Sequence, residues 1–214
     1  MARTQARDYE KRRLRILDTA ARLFARNGFH NTAIADVARE CGISKSLLYH
    51  YFTSKEDILF AAMEDHVLLL RETGKGIVEG KGNAREKFQV LTRGFLDIYK
   101  NAQARHAVLL GELKALDPKQ QRRIIKTQRE IVEIFSALIG QLTQGKTEAR
   151  ALRTVLTMLF LGMINWTHTW YDPNGTLKPA DLADLAAAIF ALGLRDEGIA
   201  ALAAMLPDSA LEET

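Results

Sequence analysis

The stretch that decides the fold runs from residue 32 to residue 59 and reads "TAIADVARECGISKSLLYHYFTSKEDIL". Its periodicity gives two short amphipathic helices joined at Cys41-Gly42-Ile43-Ser44. Gly42 can take the left-handed backbone conformation that a sharp helix–turn–helix requires, and Ser44 can cap the helix that follows. Ile34, Val37, Ala38, Ile43 and Leu48 are expected to face inward. That leaves Ser44, Lys45, Ser46, Tyr49 and His50 on the outer side of the second short helix. These residues offer hydroxyl, amine, phenol and imidazole groups and no carboxylate. Such a face suits hydrogen bonds to base edges and phosphates in a major groove. Lys55, at the start of the next helix, adds a cation where free backbone amides already favour an anion.

Outward from this stretch, nearly every segment reads as helix. Leu14, Leu17, Ala21 and Phe24 repeat at spacings of three and four, and Asn27-Gly28 supplies a stop. Thr32 is expected to cap the helix that runs to about Cys41. A longer helix starts near Ser54, with Glu56 and Asp57 in its first turn, and continues toward "GKGIVEGKGN". Further helices are predicted over roughly 84–103, 105–116, 118–144, 147–171, 179–194 and 196–205. Asp117-Pro118 and Asp172-Pro173-Asn174-Gly175 are breaks. No segment alternates with period two, so the expected fold is all-α.

Charge is unevenly spread. Residues 1–55 hold eleven Lys/Arg against five Asp/Glu, while residues 56–214 hold nineteen against twenty-one. A basic N-terminal quarter on a near-neutral body fits a polyanion-binding module joined to something else. The single cysteine, Cys41, excludes an internal disulfide and fits a reducing cytoplasm. It is read as a small core residue, not as a thiol sensor. No apolar leader follows Met1, and the apolar run Val155–Trp166 is too short to span a bilayer. A cytoplasmic protein with no membrane partner is expected.

The motif resembles the DNA-binding domain of TetR-family transcriptional regulators. Thr32, Val37, Ala38, Gly42, Ile43, Ser44, Leu48, Tyr49, Tyr51, Phe52, Ser54, Lys55 and Ile58 carry the likeness. Cys41 stands where alanine is usual in the family, and Ser46 where glycine is common. The resemblance implies a three-helix helix-turn-helix domain over residues 1–55 and a larger helical ligand-binding and dimerisation domain over 56–214. It makes Ser44–Tyr51 the recognition helix, with Lys45, Leu47 and His50 toward bases. Thr32, Ser44, Ser46, Tyr49 and Lys55 then fall to phosphates. Of the two tyrosines most open to a packing role, Tyr51 is expected to pack beside Phe52. Arg3, Arg7, Arg12 and Arg13 would add salt-sensitive, sequence-independent attraction.

In the C-terminal body, residues 155–171 are apolar nearly all round and are expected to be buried on several faces. Together with "LADLAAAIFALGL", residues 182–194, they fit a four-helix homodimer interface through helices near 147–171 and 179–194, as the resemblance also implies. "GMINWTHTWYDPNG" and "GELKALDPKQQRRII" further resemble a subset of the family, repressors of fatty-acid, steroid or aromatic-acid degradation that respond to acyl-CoA thioesters. On that likeness Trp166 and Trp170 would wall an apolar moiety, with Phe95, Tyr99, Leu109, Leu110, Met163 and Asn165 as neighbours. Arg105 and Arg122, with Lys114, Arg123, Lys126 and Arg129, would supply cations for the phosphates. The two tryptophans fit dimer packing equally well; Trp166 is the one expected to touch ligand.

Other signals carry less. "GQLTQGKT", residues 140–147, has the letters of a phosphate-binding loop, but Ile131, Ile134, Phe135, Leu138 and Ile139 before it are spaced as a helix, not a buried strand. The five histidines show no metal-ligand spacing, and no nucleophile has an evident base, so neither metal, resident cofactor nor catalytic residue is expected. The reading is a repressor that binds a pseudo-palindromic operator as a dimer and is released by an acyl-CoA-type effector. The alternatives are a multidrug-type sensor of lipophilic or aromatic compounds within the same family, and a small all-helical enzyme.

Overall fold

The computed structural model describes residues 2–143, 150–194 and 198, with side chains from residue 6 onward. Ten α-helices follow one another among the described residues: α1 (Ala2–Asn27), α2 (Ile34–Glu40), α3 (Lys45–Tyr51), α4 (Lys55–Glu79), α5 (Ala84–Asn101), α6 (Gln103–Gly111), α7 (Pro118–Leu142), α8 (Arg150–Asn165), α9 (Thr167–Trp170) and α10 (Pro179–Gly193). A 3-10 turn, Leu113–Ala115, follows α6. There is no strand among the described residues. The residues form two compact units, one from residues up to 68 with 102–126, the other from 69–101 with 127 onward. The helix expected near 196–205 lies outside the described residues apart from residue 198, as do residues 144–147 of the loop-like motif. Gly140 to Leu142 are the last turn of α7.

In the first unit the apolar stripe of α1 is buried through Ile16, Leu17, Ala20, Ala21 and Phe24. The helix stops at Gly28, whose φ of +83° suits glycine, and the Gly28 amide closes the last turn on the Phe24 carbonyl at 2.9 Å. Ala33, not Thr32, occupies the cap position of α2. The Asp36 carboxylate supplies the cap by accepting the Ala33 N–H at 3.0 Å. That hydrogen bond, then Arg39 at 2.6 Å, hold its carboxyl below the usual carboxylate range. Gly42, with φ +63°, makes the turn, and the Ser44 hydroxyl accepts the Leu47 N–H at 3.1 Å. At α4 the Ser54 hydroxyl accepts the Asp57 N–H while the Asp57 carboxylate accepts the Thr53 N–H, each at 3.0 Å.

Polar ties bind α1, α4 and α6 within this unit. Arg13 forks onto Asp65 at 2.8 and 3.2 Å, and Arg105 Nε donates to Asp18 at 2.8 Å. Phe29 is held at both ends of its backbone. Its N–H donates to Glu112 at 3.2 Å, its carbonyl accepts from Lys55 Nζ at 2.8 Å, and its ring meets Phe24 edge-on at 5.2 Å.

The second unit is organised by phenylalanine. Phe88, Phe135, Phe160 and Phe190 pack ring against ring, with centroids 4.6 Å apart for Phe88–Phe160 and 4.8 Å for Phe160–Phe190. Phe95 joins through Phe135 at 5.0 Å. The cluster therefore draws on α5, α7, α8 and α10 and supplies the large apolar area a helical core depends on. Arg93 and Gln89 both bond Asp184, fastening α5 to α10. α8 stops at Asn165 instead of continuing to residue 171. Trp166 lies in the turn before the single-turn α9, and the Asp172 carboxylate and carbonyl then cap the turn that follows. The expectation that residues 155–171 are buried on several faces is corrected within the chain. Val155, Met158, Leu159 and Met163 remain 37–62% exposed.

His66 on α4 and His106 on α6 lie buried at 1% exposure with His66 Nε2 and His106 Nδ1 3.2 Å apart. One ring nitrogen must donate and the other accept, so the contact holds between neutral imidazoles and is lost if both are charged. Burial, and secondarily Arg105, push the His66 imidazole down to about 4. Below about pH 6.5 the unfolded chain takes up a proton that the folded chain refuses, so stability falls as pH drops through this window, by at most about 1.4 kcal/mol per pH unit for one site. Thermal melts between about pH 7 and about pH 5 are expected to fall steadily for the wild type and less steeply for His66→Gln. An unchanged slope would contradict the assignment.

Candidate nucleic-acid interface and ligand-side residues

α3 is seven residues long and buries one of them fully, Leu48. The Ser44 cap and the Gly42 turn set its entry, and Val37, Ala38, Cys41 and Phe52 are buried around it. Ser44, Lys45, Ser46, Tyr49 and His50 are exposed, and Leu47 is half-buried. Lys45 Nζ lies 5.8 Å from the centre of the Tyr49 ring, which leaves ammonium and phenol side by side on the open face. Tyr51 is half-buried, and its ring stacks on Tyr9 of α1 with centroids 4.6 Å apart. Cys41 is buried. Desolvation raises its thiol, which keeps it protonated and inert.

Three residues assigned to DNA from the sequence are placed differently. Thr32 is 1% exposed, and its hydroxyl donates to the Gly28 carbonyl at 2.9 Å, with the Leu23 carbonyl at 3.4 Å. A hydroxyl spent on carbonyls behind the helix end is a poor phosphate ligand. Lys55 turns its ammonium inward, onto the Phe29 carbonyl and to 4.2 Å from that ring's centre. Arg13 is committed to Asp65 and lies over the Phe52 ring at 5.9 Å, so it frames the unit and is not a free cation. Arg7 and Arg12 are exposed; the Arg3 side chain lies outside the described residues.

The ligand-side set divides between the two units. In the first, Leu109 is buried, Leu110 and Arg122 are exposed, and Arg105 is bonded to Asp18. In the second, Phe95 is fully buried in the phenylalanine cluster. Tyr99 is 4% exposed and donates its hydroxyl to Asn165 Oδ1 at 2.7 Å; burial raises its phenol. Trp166 and Trp170 lie on the outer surface at 65% and 58% exposure, with Met163 also exposed. The break after Asn165 ends the shared face that a continuous helix would have given the two indoles. Trp166, expected to reach ligand from deeper in the helix, is the more exposed of the pair. His168 Nδ1 lies 2.7 Å from the Asn165 carbonyl, so that nitrogen carries the proton. Among the described residues no three His, Cys, Asp or Glu side chains gather as a metal site, and no helix is long and apolar enough to cross a membrane.

A capped, glycine-turned short helix presenting a polar face, ahead of an all-helical body, defines a helix-turn-helix regulator. The model for bacterial regulatory proteins of the tetR family matches residues 16–62, and the model for the tetracyclin repressor-like C-terminal domain matches residues 81–194. The chain belongs to the TetR family. It is 26% identical over 192 residues to the transcriptional repressor KstR2 of Mycobacterium tuberculosis, covering 88% of this chain and 95% of that one. A TetR-family regulator from Bordetella parapertussis superposes with TM-score 0.80 at 40% identity, over 83% of this chain and 93% of that one. AibR, solved with isovaleryl coenzyme A and operator DNA, superposes with TM-score 0.70 at 26% identity, over 83% and 97% of the two chains.

The inward placement of Thr32 has a measurable consequence. Thr32→Val keeps the shape, removes the donor and strands a carbonyl, so urea unfolding is expected to show a loss of about 1–2 kcal/mol. Thr32→Ser is expected to stay near wild type. A variant that loses DNA affinity while keeping its stability would return Thr32 to the phosphate role.

Proposed function

We propose that this chain is a ligand-responsive repressor that binds a pseudo-palindromic operator as a homodimer and leaves it when an acyl-CoA thioester binds. The observation that carries the DNA part is α3 itself, anchored by Leu48 and presenting Ser44, Lys45, Ser46, Tyr49 and His50 outward. Lys45, Leu47 and His50 read bases, while Ser44, Ser46 and Tyr49 serve the phosphates. A good bidentate contact from a major-groove helix, such as Lys to guanine O6 and N7, discriminates bases by about 1–3 kcal/mol. Lys55 positions the Phe29 segment first, and only its remaining ammonium protons can reach DNA.

The homodimer reading rests on the outer face of the second unit. Met158, Leu159 and Trp166 on the α8–α9 side, and Leu185, Ile189 and Leu192 on α10, are each at least half exposed. The three on α10 lie three, four and seven apart, and Leu159 and Trp166 lie seven apart, so both stretches carry apolar ribbons that water disfavours and that a second copy would cover. A two-fold dimer sets two α3 helices at a spacing of about one DNA turn. Trp166 and Trp170 then serve the interface before any ligand.

The effector class rests on relatives, one of which was solved with isovaleryl coenzyme A. A useful switch needs a coupling between effector and DNA of about 1–3 kcal/mol. The test is operator release, followed by fluorescence anisotropy, against acyl-CoA thioesters of graded chain length and ring content. Lipophilic cations and flavonoids run alongside. At least one thioester is expected to weaken operator binding several-fold and to raise the melting temperature of the free protein. Release by the lipophilic compounds alone would make the chain a multidrug-type sensor and overturn the effector assignment.

A further inference from the structure

An aromatic side chain of α1 packs against the C-terminal end of α3. Residues 6–12 of α1 are all exposed, so core burial does not explain an aromatic side chain there. Tyr9 is 41% exposed, yet its ring stacks on Tyr51 with centroids 4.6 Å apart and planes 23° from parallel. It also meets the His50 imidazole edge-on at 6.4 Å, and His50 meets Tyr51 edge-on at 5.7 Å. Arg13, one turn further along the same face of α1, is fixed by its fork onto Asp65 and its position over Phe52. This anchor holds the turn of α1 that carries Tyr9 at the C-terminal end of α3. Offset stacking and edge-on contacts are the favoured aromatic geometries, and each restricts ring rotation.

We propose that Tyr9 is a positioning residue for operator specificity: its ring, stacked on Tyr51, fixes the orientation of the His50 imidazole, so that one base pair of each half-site is read by α3 with the help of α1. The proposal rests on the assignment of α3 as the reading helix. Tyr9 itself contacts no base in this scheme. The energetic logic is preorganisation, since an imidazole already held in its binding rotamer loses less entropy on meeting the base edge. The ring does this work, not the phenol hydroxyl.

The test measures affinities at fixed salt for the operator, for a set of operators each carrying one base-pair substitution, and for unrelated DNA. Tyr9→Ala is expected to weaken operator binding about tenfold and to flatten discrimination at the same base pair that His50→Ala flattens. Binding to unrelated DNA and the salt slope stay as in wild type, and Tyr9→Phe behaves as wild type. In the His50→Ala background, Tyr9→Ala is expected to have no further effect. Loss in Tyr9→Phe equal to that in Tyr9→Ala, or a uniform loss with a shallower salt slope, would make Tyr9 a phosphate contact and overturn the proposal. A second readout needs no DNA. The His50 ring-proton resonances of the free protein are expected to carry a ring-current shift that Tyr9→Ala removes and Tyr9→Phe keeps; identical spectra overturn the proposal. If wild type binds no DNA specifically while the ring-current shift is present, the α3 assignment fails and the packing of Tyr9 on His50 stands.

Discussion

A seven-residue helix does not hold itself together in water. Nucleation consumes most of what so few hydrogen bonds return, and isolated helices of this length are marginal at best. α3 has one fully buried side chain, Leu48, with which to fasten itself. Everything around it compensates for that shortage. Gly42 at φ +63° turns the chain without strain, and Ser44 satisfies an otherwise orphaned amide at the entry. Phe52 closes the exit, buried to 4% exposure. Lys45, Ser46 and Tyr49 are thereby left open on the outer face, which is the condition for using them on DNA.

The same logic extends through the first unit. Phe29 is the joint between α1 and α2, and both of its backbone groups are satisfied by side chains from elsewhere, Glu112 after α6 and Lys55 at the start of α4. Buried backbone groups outside regular structure must find such partners. The buried pair His66 and His106 lies between the same two helices, α4 and α6. The mounting of the helix-turn-helix is thus polar as well as apolar, and polar contacts are lost in larger steps than apolar ones when geometry shifts.

Much of this was legible in the sequence, because helix periodicity, caps and turn glycines are local signals. Gly28, Gly42, Ser44, Ser54 and the Asp172 turn were all readable from near neighbours. What was not legible depended on contacts distant in sequence. Thr32 reads as a cap, but the carbonyl of Gly28 four residues back claims its hydroxyl, and Asp36 takes over the capping. Lys55 and Arg13 read as free cations; their partners lie 26 and 52 residues away. The role of Tyr9 is not legible either, because nothing near it in sequence marks an aromatic on a charged turn as useful. The apolar run through residue 171 reads as buried on several faces, but hydropathy alone does not say whether a second helix of the same chain covers each of them. In the chain itself one face is buried through Leu156, Phe160 and Ile164, while Met158, Leu159, Trp166 and Trp170 stay more than half exposed.

The claim on which the account turns is that two copies of α3 read DNA together. The direct measurement is selection of binding sequences from a random duplex pool with the purified full chain, followed by sequencing of what is retained. The account predicts an inverted repeat whose half-sites are centred about one helical turn apart, roughly 10–10.5 base pairs, or a small multiple of that spacing. Enrichment of an isolated half-site, or of no sequence at all, would contradict it.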